Sequence, residues 1–221
     1  MSLTAKEKAF EKIFTNPATY NNSKCGPECW TINQEILRSC DLNAPCYRSG
    51  KCYGCKNCYV QSKLKYNDNS DRFKKSPSGY FGHIILNILK SHVRYVRWHA
   101  YGDIVNATYL EGMIATADAC KDTQFVVFTK KYDIVIDYLN EGGNIPENLT
   151  VYFSAWNDWN IDKIMSYANP STGIRIAYYI AKDNPYDYPN YNARNCSCKT
   201  TCDKCKACFG GAYHNVAFHE H

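Results

Sequence analysis

Between residues 76 and 182 the hydrophobic pattern alternates between helical spacing and short unbroken apolar runs. "SPSGYFGHIILNILKSH" (76–92) places its apolar residues on one helical face behind a serine cap. "VRYVRWH" (93–99) is a strand, "NATYLEGMIATADAC" (106–120) a helix, and "QFVVFTK" (124–130) a strand. "YDIVIDYLNEGG" (132–143) is a helix ending at glycine, "LTVYFSAW" (149–156) a strand, "NIDKIMSYA" (160–168) a helix and "GIRIAYYI" (173–180) a strand. Strands that are apolar on both sides belong to a parallel sheet covered by helices. Strand-to-strand spacing is about two to three dozen residues, the size of a βα unit. Four such units do not close an eight-unit barrel. The pattern therefore predicts an α/β fold, either a partial (βα) barrel or a small parallel sheet.

The flanks read differently. Residues 1–75 start with Thr4-Ala-Lys-Glu7, a capping box, followed by an apolar face of Phe10, Ile13 and Phe14. A second helix is expected around Thr31–Ser39 and a third over Tyr59–Tyr66, with cysteine-rich chain between them. Residues 183–221 begin with the turn-rich "DNPYDYPNYNARN" and continue into a second cysteine-rich stretch. Three zones result, 1–75, 76–182 and 183–221, expected to form one compact unit.

Composition sharpens this picture at one point. A chain of 221 residues can bury a core without disulfide staples, yet it holds 13 cysteines. Seven lie between Cys25 and Cys58, five between Cys196 and Cys208, and Cys120 stands apart as a buried helix cysteine. Thiols this closely spaced favour metal binding over cross-linking. No apolar signal core opens the sequence and no apolar stretch is long enough to span a bilayer, so a reducing cytoplasm and no membrane partner are expected. The net charge of +5 is spread among both signs. The basic run Lys63, Lys65, Arg72, Lys74 and Lys75, diluted by Asp68 and Asp71, gives only weak support for nucleic acid as a partner.

Zinc usually takes four ligands as two separated pairs. Cys52-x2-Cys55-x2-Cys58 is instead a triplet, the start of the run that binds clusters in ferredoxins. Cys202-x2-Cys205-x2-Cys208 repeats it, with Cys196 and Cys198 upstream. The sulfur pattern favours a cluster over zinc without excluding a zinc ribbon. The expected ligands of one site are Cys46, Cys52, Cys55 and Cys58, with Cys40 competing. Those of a second are Cys198, Cys202, Cys205 and Cys208. Cys25-Gly-Pro-Glu-Cys29 fits a metal ligand pair and a plain turn equally well.

In parallel α/β folds the ligand sits beyond the carboxyl ends of the strands. Those ends carry Trp98, His99, Tyr101, Gly102 and Asp103, then Thr129, Lys130 and Lys131, then Ser154, Trp156 and Asn157, then Tyr178 and Tyr179. Polar and titratable groups at three successive strand ends predict a site along this edge.

"SCDLNAPC" (39–46), "NCYV" (57–60), "RWHAYGDI" (97–104), "FVVFTKK" (125–131), "LTVYFSAW" (149–156) and the terminal "VAFHEH" (216–221) resemble the bacteriophage gene-product-88 family. The layout is similar, more distantly, to radical S-adenosylmethionine enzymes, which have an N-terminal three-cysteine loop, a parallel partial barrel and often auxiliary cluster cysteines. That resemblance implies a [4Fe-4S] cluster near Cys46–Cys58 and a Gly102–Asp103 turn that meets the amino group of the bound nucleoside–amino acid. It departs from the radical enzymes in its gaps of two and two residues, where they have three and two, and in showing no clear strand before the N-terminal cysteine group.

The expected function is thus that of an iron–sulfur protein, with radical S-adenosylmethionine chemistry on an unknown substrate and an external electron donor if it is an enzyme. His99, Asp103 and Lys130 would serve catalysis. Gly102, Asp103, Thr129, Ser154 and Trp156 would hold the cofactor. The compartment would be the host cytoplasm for a phage-encoded chain. The rival is a non-enzymatic zinc protein that binds nucleic acid or a protein partner.

Overall fold

A computed structural model describes residues 17–19, 23–35, 39–48, 67–183, 185–196 and 200–219. The helices expected over residues 4–14 and 59–66, and the thiols of Cys52, Cys55, Cys58 and Cys198, lie outside these residues.

Eight strands form one mixed, mostly parallel sheet: β1 (Ala18–Thr19), β2 (Cys29–Ile32), β3 (Tyr95–Trp98), β4 (Gln124–Thr129), β5 (Leu149–Trp156), β6 (Arg175–Ile180), β7 (Ala193–Asn195) and β8 (Asn215–His219). Their order is β1-β2-β3-β4-β5-β6-β8-β7, and among the described residues only β1 runs antiparallel to its neighbour. The helices are α1 (Pro45–Arg48), α2 (Asn67–Lys75), α3 (Pro77–Ser91), α4 (Ala107–Ala119), α5 (Tyr132–Asn140), α6 (Ile161–Tyr167) and α7 (Cys202–Cys205).

Two expectations need correction. Thr31–Ser39 was expected to be helical. Instead Cys29–Ile32 is a fully buried strand whose residues pair with Tyr95–Trp98 of β3. Aromatic and β-branched side chains in "CWTI" suit a pleated, buried surface better than a helix. This strand also precedes the N-terminal cysteine stretch, where none was expected. The second correction concerns residues 183–221, which were read without strands. They supply β7 and β8, and "NVAFH" inserts between β6 and the edge strand β7.

Local chemistry accounts for the helices. The Ser76 side chain accepts from the Gly79 N–H with Pro77 at the first turn, and α3 ends in a left-handed His92. Asn106 caps α4 by accepting from the Tyr109 N–H.

The sheet has two unlike faces. From β2 to β6 the chain adds strands in one direction, so right-handed crossovers set every connection on the same side. That outer face carries Ile32, Val96, Trp98, Phe125, Val127, Val151, Phe153 and Ile176, packed against Phe81, Ile84, Leu110, Met113, Val135 and Ile164 of the helices. The step from β7 to β8 runs backwards, because β8 inserts between β6 and β7. The same handedness then sends residues 200–211 to the opposite, inner face. There Phe209, Cys202 and Cys208 join Val126, Tyr152, Ala177 and Val216. The inner face curls around this segment. The Phe128 and Phe218 rings, from strands with two others between them, stand 5.6 Å apart, where a flat sheet would hold them about 14 Å apart.

Candidate functional site

At the carboxyl edge the loops are fastened to one another strand by strand. After β2, Asn33 accepts the Tyr101 N–H at its Oδ1 (2.9 Å), and the Gln34 N–H donates to the Tyr101 carbonyl (3.2 Å). Ser39 Oγ accepts the Asp103 N–H (2.9 Å) while its own hydroxyl donates to the Glu35 carbonyl (2.7 Å). Gly102 is left-handed at φ 84, and a Cβ there would strike the Gln34 carbonyl and Ser39 Oγ. Only glycine lets the loop after β3 close on the loop after β2. Gln34 extends the network into the helices: its Nε2 donates to the hydroxyls of Tyr80 (2.9 Å) and Tyr109 (3.2 Å), and Ser70 donates to its Oε1 (2.7 Å).

Asp103 is buried at the centre of this edge. Its Oδ1 accepts from the Thr129 hydroxyl (2.6 Å) and the Ile104 N–H (2.8 Å), and its Oδ2 from the Lys130 N–H (2.9 Å). Burial raises its pKa against the pull of these donors. The carboxylate expected to face a ligand ammonium is thus turned to the strand ends, where it joins the loop after β3 to the end of β4. Thr129 has the same role, since its hydroxyl oxygen also accepts the Lys131 N–H (2.9 Å).

His99 is left-handed at φ 57 and lies on the helix side, its Nε2 3.3 Å from the Tyr109 hydroxyl. Nδ1 has no partner among the described residues. Burial, with Arg97 adding to it, lowers its pKa to about 3, so the imidazole is neutral. Lys130 lays its ammonium 5.5 Å from the centre of the Trp156 ring. Trp156 in turn stacks on Tyr179 with centroids 3.9 Å apart and planes at 7°. Ser154 is buried, and its carbonyl accepts from the Tyr132 hydroxyl.

The first cysteine stretch enters at this edge. Cys40 follows Ser39 directly. Cys46 is buried, and it and Asp41 lie near enough to the Tyr132 hydroxyl to help burial and Asp103 raise its pKa. Sequence reading missed the fasteners Ser39, Gln34 and Tyr188. The Tyr188 hydroxyl donates to the Tyr179 (2.7 Å) and Ala155 (3.1 Å) carbonyls and accepts the Asn157 N–H (2.9 Å), joining β5 to β6. A tyrosine in a turn-rich loop carries no local sign of such a role.

The second cysteine stretch goes elsewhere. Cys202 lies on the inner face beside Cys25, and Cys25 beside Cys29. The main chain fixes this meeting, since the Cys202 N–H donates to the Lys24 carbonyl (3.0 Å) and the Asp203 N–H to the Cys25 carbonyl (3.0 Å). The Asp203 carboxylate accepts from the Glu28 N–H (3.1 Å) and the Thr201 hydroxyl. Burial alone would raise its pKa, but these donors outweigh it and hold the group below its ordinary value. Cys202 gives Cys25 a hydrogen bond that lowers its pKa, yet Cys29 and burial prevail and hold it above the ordinary thiol value. Contact with Cys25, then burial, pushes Cys202 up, while Arg97 and Lys24 pull it down. As they stand, no three Cys, His, Asp or Glu side chains among the described residues are arranged to hold a metal ion. Cys120 is buried in the outer core, as expected.

Among the described residues no helix is long and apolar enough to cross a membrane. The family model for gene product 88 matches residues 6–218, and the chain belongs to that family. Comparison with curated proteins and with solved structures finds no match.

Proposed function

We propose that this gene product 88 protein is an iron–sulfur protein built on a half-open βα barrel, with a cluster at the carboxyl edge and S-adenosylmethionine as its small-molecule ligand. One observation carries the reading. The cysteine-bearing chain leaves the carboxyl end of β2, and Ser39 fastens it to the Gly102–Asp103 turn. Cys40 and Cys46 are thereby brought to the edge where parallel folds bind ligands, and Cys52, Cys55 and Cys58 follow them in the sequence.

The residues present fit such a group. Cys46 is buried beside the edge, and Lys130 supplies a cation there. Three thiolates from the Cys52–Cys58 triplet would leave one iron open, and a cluster bound there would supply an electron to a ligand chelated at that iron. The chain's own residues position and shield. Asp103, Thr129 and Tyr188 hold the strand ends rigid, and the Trp156–Tyr179 stack offers an aromatic face for a base. His99 acts from below this edge as a neutral, buried support for Tyr109.

Anaerobic purification with iron, sulfide and zinc analysis and an absorption spectrum tests the proposal. About four irons with matching sulfide, lost when Cys52, Cys55 and Cys58 are replaced by serine, is the expected result. Retention of S-adenosylmethionine by the reduced protein is the second. Zinc alone, with no sulfide and no visible band, overturns the proposal in favour of a zinc-stabilised binding protein.

A further inference from the structure

We propose that Cys25, Cys29 and Cys202, completed by one thiol of the Cys205–Cys208 turn, bind a single zinc ion that locks residues 200–211 onto the inner face of the sheet. The centre is separate from the carboxyl edge and uses two cysteines for which the spacing gave no decided role.

The donors arrive as two pairs from distant parts of the chain, which is the habit of structural zinc. Cys25-x3-Cys29 lies in the turn leading into β2, and Cys202 opens the short helix α7. Lys206, directly after Cys205, is left-handed at φ 56, so the chain reverses and brings Cys208 back to the inner face. Cys25 and Cys29 are completely buried, Cys202 and Cys208 half-buried, and Cys205 exposed. Buried thiols close together gain little from one another as neutral groups. Strung through Cys25, they await the attraction that would gather them round one point, and metal binding supplies it as it displaces their protons.

Charge supports the assignment. A zinc ion with four thiolates carries two net negative charges. Arg97 and Lys24 face Cys202, and Arg97 also faces Cys25. Among the described residues Arg97 has no carboxylate partner and its Nε no acceptor. The half-buried Arg97 guanidinium stands over the Phe128 ring, 5.1 Å from its centre, and a tetrathiolate zinc beside it would match its full charge.

Space favours one ion over a cluster. Gly26, left-handed at φ 89, is pressed so closely against Asp203 that a Cβ would collide with the carboxylate. The two segments are in direct contact there, which favours a single ion between their thiols over a bulkier iron–sulfur cube.

The test is metal content of the full-length chain purified with zinc, together with cobalt substitution, whose visible band reports tetrahedral thiolate coordination. One zinc per chain is expected, in addition to any iron. Cys29→Ser and Cys202→Ser should each lose it and the cobalt band, Cys120→Ser should keep both, and one but not both of Cys205→Ser and Cys208→Ser should lose them. Should Cys29→Ser and Cys202→Ser misfold, the wild-type chain still decides: removing zinc with a thiol-blocking reagent should expose residues 196–211 to protease while the helix layer stays resistant. Zinc retained by both variants, iron in place of zinc, or no change in cleavage overturns the proposal. Serine replacement of Cys52, Cys55 and Cys58 should remove iron and leave zinc, which separates failure of this centre from failure of the carboxyl-edge cluster.

Discussion

The outer face of the sheet is built from parts that need only each other, and the inner face from parts that do not. Outside, Trp98, Phe125, Tyr109 and Phe81 lie ring against ring beneath amphipathic helices, with centroids 5.1–6.3 Å apart. Inside, arginines, thiols and aromatic rings share a curved surface, covered by a segment whose one helix has four residues. Apolar contact suffices for the first, because burial is non-directional and proportional to area. The second holds Arg97, Arg175 and clustered thiols, whose polar atoms ask for particular partners. Arg175 finds two, the carbonyls of Gly210 (3.3 Å) and Gly211 (3.1 Å), which pin the C-terminal segment to β6.

The sharpest way to break this contrast is to damage the outer face and look for loss of metal. Trp98→Ala should cost about 3–5 kcal/mol in urea unfolding and leave the metal content of the folded fraction unchanged. A parallel loss of metal would show that the faces are not independent. Gly102→Ala strikes the seam between the loops after β2 and β3. We expect a cost of about 2–3 kcal/mol together with reduced iron content, since the loop that bears Cys40 must move. Unchanged iron would detach that loop from the cluster.

A pH series sharpens the comparison on the outer side. His99 has a folded pKa of about 3 against an ordinary value of 6.5. Between these values the unfolded chain takes up a proton that the folded chain refuses. Stability is therefore lost as pH falls below 6.5, by about 2 kcal/mol on reaching pH ~5. Asp103, whose pKa is raised, works the other way. The His99 contribution is the difference between wild type and His99→Asn, since asparagine tolerates the left-handed backbone. Parallel curves for the two proteins would show that His99 does not titrate as described. The smallest effect is at the helix cap, where Asn106→Ala should lower stability by about 1 kcal/mol with iron and zinc content unchanged.

Most of the outer face was legible from sequence, because periodicity reports one-sided burial directly. Helix and strand positions from 76 to 180 fall within a few residues of those expected, down to the serine cap at Ser76. β2 was not legible. Four residues are too few for a period, and the polar Asn33–Gln34–Glu35 that follows gave it a helical look. β7 and β8 escaped for the same shortness. At the site, the edge itself was legible as a row of polar strand ends, but the direction of each side chain was not. Asp103 serves its neighbours because Thr129 and Lys130 happen to end the next strand, a fact of register rather than of spacing. The Cys25–Cys202 meeting was hidden most deeply. Local triplets drew attention to cysteines near in sequence, whereas the handedness of one backward step decides which are near in space.

That backward step also sets an order of assembly. Among the described residues β7 has no neighbour but β8, and β6 keeps a bare edge until β8 slides in beside it. On a ribosome, strands β2 to β6 can pair as they emerge, while the edge of β6 stays open to any other extended chain until residues 215–219 follow. β8 is therefore the keystone of the sheet: late in coming, flanked on both sides, and the piece whose delay leaves the half-made protein adhesive.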